Sequence, residues 1–190
     1  MPKSATKPTL VHIKVTLNGI RPAIWRRLLA PVSLSLGDLH IMIQAAMGWD
    51  GGHMHAFEIG GLRYGDLSWM EDGEDEERMT IKKLMRGGAS RIVYRYDFGD
   101  NWEHVVLIEK RAPPPNSPPA PACVAGQRAC PPEDCGGIGG YYGLLDALAS
   151  PDKPETRELL EWVDEEYEFD PEAFSLEEAD RRVKSTFGSP

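Results

Sequence analysis

The side chains best equipped for chemistry in this chain are its histidines, its three cysteines and one run of paired carboxylates. His53 and His55 lie two apart in a segment expected to be a strand, which points both imidazoles to one face. With His104 from a second expected strand they would form a three-imidazole set, the kind that holds a hydrolytic zinc ion. Phe57 and Ile59 share that face. The pattern therefore also fits two imidazoles packed at a sheet surface and hydrogen-bonded to backbone, and both readings stand. Cys123, Cys130 and Cys135 follow a Cys-x6-Cys-x4-Cys spacing in a stretch rich in Gly and Pro. A thiolate zinc site needs four ligands, normally from close pairs, so a histidine would have to complete this one. Reduced free thiols are the competing reading. Zinc is the cofactor these residues raise.

Pro131-Pro132-Glu133-Asp134, followed by Gly136-Gly137, is the most distinctive stretch. The prolines hold the chain extended, the glycines permit a tight reversal, and two adjacent carboxylates sit between them. Glu133 and Asp134 could bind a cation or work as acid and base beside His104. In a scaffolding role, Asp134 would instead cap the helix around Tyr141 or hold the loop by accepting backbone N–H groups. His104, Asp100, Trp102, Glu133 and Asp134 form the candidate functional cluster. It rests on the expectation that a Pro-rich connector brings the cysteine loop back beside the start of the last long strand. Asp97-Phe98-Gly99-Asp100 is similar to a kinase Asp-Phe-Gly motif, but no phosphate loop or catalytic loop accompanies it. A hairpin turn, with Tyr96 and Trp102 as packing aromatics, explains it more simply. No G-x-S-x-G, H-E-x-x-H or P-loop pattern occurs.

These residues need elements to position them. Val11, Ile13, Val15 and Leu17 alternate with polar residues, as a half-buried strand requires, and Asn18-Gly19 offers a turn into a second strand over Ile24–Leu29. Leu36, Leu39, Ile43 and Met47 have helical spacing, with Ser35 and Asp38 as an N-terminal capping pair and Gly48 as the stop. Strands are expected over His53–Ile59, Arg91–Phe98 and Glu103–Lys110, with a shorter one at Leu62–Tyr64. A short helix capped by Thr80 is expected over Met79–Met85, and the acidic stretch 71–77 reads as an exposed loop tip. Three C-terminal helices follow, around Leu144–Leu148, after an Asp152/Glu155 cap, and after a Ser175/Glu178 capping box. The fold class is α+β: a mixed or mainly antiparallel sheet of about five strands, a central helix after the first hairpin, and C-terminal helices packed on the sheet. One domain spans 9–184, with a Pro-rich internal connector at 112–122 and flexible termini at 1–8 and 185–190.

The chain has 190 residues, 41% of them hydrophobic, and a net charge of −9 from 21 Lys and Arg against 30 Asp and Glu. That balance argues against a general nucleic-acid coat, which needs clustered cations. The charges are nonetheless segregated. Arg21, Arg26, Arg27, Lys82, Lys83 and Arg86 fall in wholly basic stretches, which suggests either an anion-binding face or an ordinary solvated surface. The partner would be a protein, or nucleic acid held weakly and released by salt. No apolar run reaches the roughly 18–20 residues of a membrane helix, the N-terminus is polar, and three cysteines are no disulfide framework; the expected location is the cytoplasm.

Three segments together resemble the plasmid pRiA4b ORF-3-like family. They are Ile20-Arg21-Pro22-Ala23-Ile24-Trp25-Arg26-Arg27 with the helix ending at Gly48-Trp49, then Tyr96 through His104, and finally Cys123 through Tyr141. The resemblance covers nearly the whole chain, from Thr9 to Val183. It implies a compact α+β fold, carries over no catalytic residues, and links the chain to plasmids and insertion elements, where some members are labelled resolvase-like. The expected function is a non-catalytic binding module associated with such elements. The alternative is a metal-dependent hydrolase or nuclease built on the His/Asp/Cys cluster.

Overall fold

Alternation and capping produce the first half of the molecule as the sequence implies. In this computed structural model, which describes residues 9–70, 72–109, 121–166 and 169–188, β1 (Leu10–Leu17) buries Val11, Ile13, Val15 and Leu17 on one face. It pairs antiparallel with β2 (Trp25–Pro31). α1 (Leu36–Met47) starts at a full capping box: Asp38 N–H donates to Ser35 Oγ at 3.0 Å, and Ser35 N–H donates to the Asp38 carboxylate at 2.9 Å. Gly48 ends it at φ 95°, a left-handed conformation that costs glycine little. Leu39, Ile43 and Met47 are buried against the sheet.

β3 (His55–Ile59) and β4 (Leu62–Gly65) form a hairpin across Gly60-Gly61. β5 (Glu74–Asp75) runs into a single 3-10 turn, Glu76–Arg78, and α2 (Ile81–Arg86) is capped by Thr80. β6 (Arg91–Tyr96) and β7 (Trp102–Ile108) make the second hairpin, and β8 (Ala122–Gln127) follows. α3 (Gly137–Ala149), α4 (Arg157–Glu166) and α5 (Leu176–Phe187) complete the chain. The sheet order is β5-β4-β3-β6-β7-β1-β2-β8, antiparallel at every pairing except β4 with β5. α1 and α5 pack against each other, and together with Tyr141 of α3 they contribute to the core on one face of the sheet. The opposite face carries charge pairs such as Arg27–Glu109 and Arg95–Glu103. No helix among the described residues is long and apolar enough to cross a membrane.

Five expectations need correction. The sheet has eight strands, not about five, because two short edge strands carry no pattern of their own. Ala-Cys-Val-Ala-Gly-Gln has weak strand propensity, but the open N–H and C=O groups of β2 recruit it as β8, so Cys123 lies in a strand rather than a loop. The acidic stretch is not simply a loop tip: β5 and the 3-10 turn lie within it, and Glu76 is buried. Asp152 and Glu155 do not cap the second C-terminal helix. Lys153 precedes a 3-10 turn at Pro154–Thr156, which leads directly into α4. The last helix also continues to Phe187, beyond the expected end of the domain at residue 184. Residues 1–8 and the connector up to Ala120 lie outside the described residues.

Candidate functional site

The polar residues that converge do so beside α1, where its His40 and Gln44, one turn apart, face the inner side of β6 and β3. Tyr94 of β6 is fully buried, and Gln44 Nε2 donates to its hydroxyl oxygen at 2.7 Å. The Tyr94 hydroxyl is also 2.7 Å from His40 Nδ1, within hydrogen-bond distance. The His40 ring stacks on His55 with centroids 3.5 Å apart and planes 2° from parallel. His55 Nε2 lies 2.8 Å from Glu76 Oε2, a carboxylate delivered by the 3-10 turn. This imidazole–carboxylate floor opens into a pocket of about 460 Å³. Its rim is apolar and unusually bare: Ile41, Met54, Trp69 and Phe98 line it, and Trp69 is 73% exposed.

A second group adjoins the pocket through His53. One ligand atom each from His53, Asp97 and Asp134 lies within 4.8 Å of the others, and among the described residues this is the one such triple of His, Cys, Asp or Glu. His53 Nδ1 is 3.9 Å from Asp97 Oδ2, and His53 Nε2 is 3.5 Å from Asp134 Oδ1. Asp97 is fixed by the hairpin turn, where its other oxygen accepts the Gly99 N–H at 2.8 Å. Next to this group, Tyr96 Oη donates to Glu133 Oε1 at 2.7 Å. Burial pushes the Glu133 carboxyl upward, partly offset by that hydrogen bond, while a hydrogen bond donated by its protonated form to the Asp50 carboxylate adds to the rise.

The expected cluster of His104, Asp100, Trp102, Glu133 and Asp134 is therefore only partly assembled. Trp102 and His104 are buried in the core. Trp49 lies between His104 and the proline loop, edge-on to the imidazole at 5.5 Å and donating through Nε1 to Pro131 O at 2.9 Å. The chain returns to this end of the sheet through β8, which runs antiparallel to β2, so the connector alone does not bring it back. Asp100, not Asp134, holds the start of α3, accepting the Gly136 N–H at 3.1 Å. The three-imidazole set does not form. His53 lies before β3 rather than in it, His55 is engaged with Glu76, and His104 faces Trp49 and Tyr94. The three cysteines are free thiols, and the one metal-capable triple among the described residues contains none of them. Cys123 packs in the core with its N–H on Asp180, and burial pushes the thiols of Cys130 and Cys135 up to about 12.

The six basic residues do not form one face. Arg26 and Arg27 are successive in β2 and point to opposite sides. Arg26 is buried, donating to the carbonyls of Ala46, Trp25 and Gln127. Arg27 pairs with Glu109, and Lys83 Nζ donates to Arg78 O. Arg21 sits at the β1–β2 turn, where its N–H donates to Tyr142 Oη, whereas Lys82 and Arg86 are exposed on α2. No sequence motif marks the pocket residues His40, Glu76, Glu77 and Trp69, or Tyr94 buried beside His40. The i, i+4 spacing of His40 and Gln44 on a well-defined helix was the one local signal for them.

Two imidazoles give the fold an acid sensitivity. Burial, with the neighbouring His55, lowers His40 to about 3, and burial lowers His104 to about 4. Both lie below the ~6.5 of an unfolded histidine, so at acid pH the unfolded chain binds protons that the native state refuses. The contribution is complete above about pH 6.5 and is lost as pH falls through the folded values. Unfolding free energy from urea titrations should decline between about pH 6.5 and 4, with His104 accounting for about 3 kcal/mol of the loss. His104→Leu should flatten that slope. A variant slope equal to that of the parent would refute the assignment.

An α+β protein with this mostly antiparallel eight-stranded sheet has known counterparts. The chain belongs to the family described as Plasmid pRiA4b ORF-3-like protein, which it matches over residues 9–178. It is 36% identical over 157 residues to the uncharacterized protein y4hQ of Sinorhizobium fredii (strain NBRC 101917 / NGR234), covering 81% of this chain and 80% of that one. It is also similar to the crystal structure of a protein of unknown function, MM3350, from Methanosarcina mazei Go1. That match has a TM-score of 0.81 and 34% identity, and covers 90% of this chain and 98% of the other.

Proposed function

We propose that this protein is a non-catalytic binding module whose ligand enters the pocket above His40 and His55. The observation that carries this reading is the union, in one cavity of about 460 Å³, of a hydrogen-bonded polar floor with a rim of exposed Ile41, Met54, Trp69 and Phe98. Apolar side chains left bare around a concavity of this size are the usual mark of a small-ligand site. Of the residues that a hydrolase or nuclease would use, His53 and His55 line the pocket, whereas His104 is buried beside Trp49 and Asp100 holds the start of α3, and this separation favours binding over chemistry. The association with plasmids or mobile elements rests on the name of the family.

A fragment library followed through the Trp69 indole and the His40 and His55 imidazole resonances tests the reading. Binders should perturb these three together and should lose affinity in Trp69→Ala. Fragments that bind only elsewhere, or none at all, would overturn it. The second reading, a metal-dependent hydrolase or nuclease, is supported by the approach of His53 to Asp97 and Asp134. It requires zinc or another divalent ion bound at one equivalent and lost in His53→Ala.

A further inference from the structure

We infer that the ligand of this pocket is a small organic cation, an amine carrying an apolar body; the inference rests on the binding reading above. The pocket wall includes three carboxylates, Asp66, Glu76 and Glu77, and no Lys or Arg. A second concavity beside it is lined by the same three acids together with Asp75. Glu76 is engaged by His55, and Asp66 accepts the Ser68 N–H at 2.8 Å, which holds its carboxyl below the usual range.

Glu77 is the acid best placed to meet a ligand. It is exposed, and its carboxylate lies against Gly37 in the first turn of α1, so close that a Cβ at Gly37 would collide with Oε1. Helix N-termini attract anions. Here that end already carries the Glu77 carboxylate and the Asp38 of the capping box, so an anionic ligand would meet like charge.

The rim complements a cation as well. Trp69, 73% exposed, offers an aromatic face, and an ammonium group is attracted to such faces and to carboxylates alike; Phe98, on the same rim, already has the Arg63 guanidinium 5.7 Å from its ring centre. Ile41, Met54 and Met70 supply the apolar wall for the rest of the molecule. The volume suits a compact amine rather than a folded partner. The net charge of −9 adds a long-range field of the right sign.

The test compares three compounds of nearly one shape on the full chain by calorimetry and by amide chemical-shift titration: 2-phenylethylamine, 2-phenylethanol and 3-phenylpropionate. The amine should bind roughly tenfold more tightly than the alcohol, equivalent to about 1.4 kcal/mol, and the carboxylate more weakly than either. Raising salt to about 0.5 M should weaken the amine alone. Glu77→Gln should erase the preference for amine over alcohol. So should Gly37→Ala, which forces the Glu77 carboxylate to swing away. Trp69→Ala should weaken all three. Equal binding of amine and alcohol, or preference for the carboxylate, would overturn the cation assignment while leaving the pocket a binding site. Binding of a lysine-bearing peptide but not of the amine would overturn the small-molecule assignment. Failure of all three compounds to perturb the pocket would count against both the cation and the binding reading.

Discussion

Replacing Arg26 with alanine should destabilise the protein by about 3–5 kcal/mol, seen as a large drop in the urea midpoint at unchanged slope. Arg26 is 2% exposed and sits within the fold rather than on its surface. Its Nε donates to Ala46 O at 3.0 Å, and its NH1 donates to Trp25 O and Gln127 O at 2.9 and 3.0 Å. Ala46 lies in the last turn of α1, which contains no basic residue of its own. The helix's terminal carbonyls are instead met from other elements, by Arg26 of β2 and by Arg182 of α5, whose Nε donates to Ala45 O at 2.9 Å. The guanidinium also lies 4.4 Å from the Phe174 ring, with Gly126 leaving the space both need. Alanine would strand three carbonyls and open a cavity beneath Phe174. Lysine keeps the charge but lacks the planar fork, so Arg26→Lys should recover only part of the loss. A midpoint within error of the parent for Arg26→Ala would show that these hydrogen bonds contribute nothing net.

The second large effect is expected at Ile43. It is 1% exposed in the centre of α1, and truncation to alanine should cost about 2–5 kcal/mol, the range for removing a buried aliphatic side chain. The consequence extends to the pocket, because His40, one turn earlier on the same helix, reaches Tyr94 only if α1 keeps its distance from β6. Ile43→Ala should therefore broaden the His40 resonance as well as lower the midpoint. An unchanged midpoint would mean that the helix presents a different face to the sheet.

Much of the architecture was legible because its causes are local. The Ser35/Asp38 capping box and the Gly48 stop delimit α1 through atoms three to four residues apart, and the alternation of Val11 to Leu17 selects a strand and its buried face together. Thr80 and Ser175 announced α2 and α5 in the same way. The resemblance, carried by short contiguous segments and covering most of the chain, places it in its family.

The tertiary structure decided what depends on groups far apart in the chain. β8 has no strand pattern and forms because β2 leaves an unpaired edge. Asp134 and Asp100 are equally plausible caps by type, but the β6–β7 turn delivers Asp100 to Gly136. His53 and His55 looked like a pair because a strand was expected to contain both. β3 begins only at His55, which sends His53 toward Asp97 and Asp134 and leaves His55 to Glu76. Arg26 reads as surface charge among basic neighbours, yet β2 turns it inward, onto carbonyls of Ala46 at the end of α1 and of Gln127 in β8 that only the assembled fold brings to it. Periodicity reports which way a side chain faces within its own element. It carries no information about which atom another element will bring to meet it, and the pocket over His40 and His55 is made entirely of such meetings.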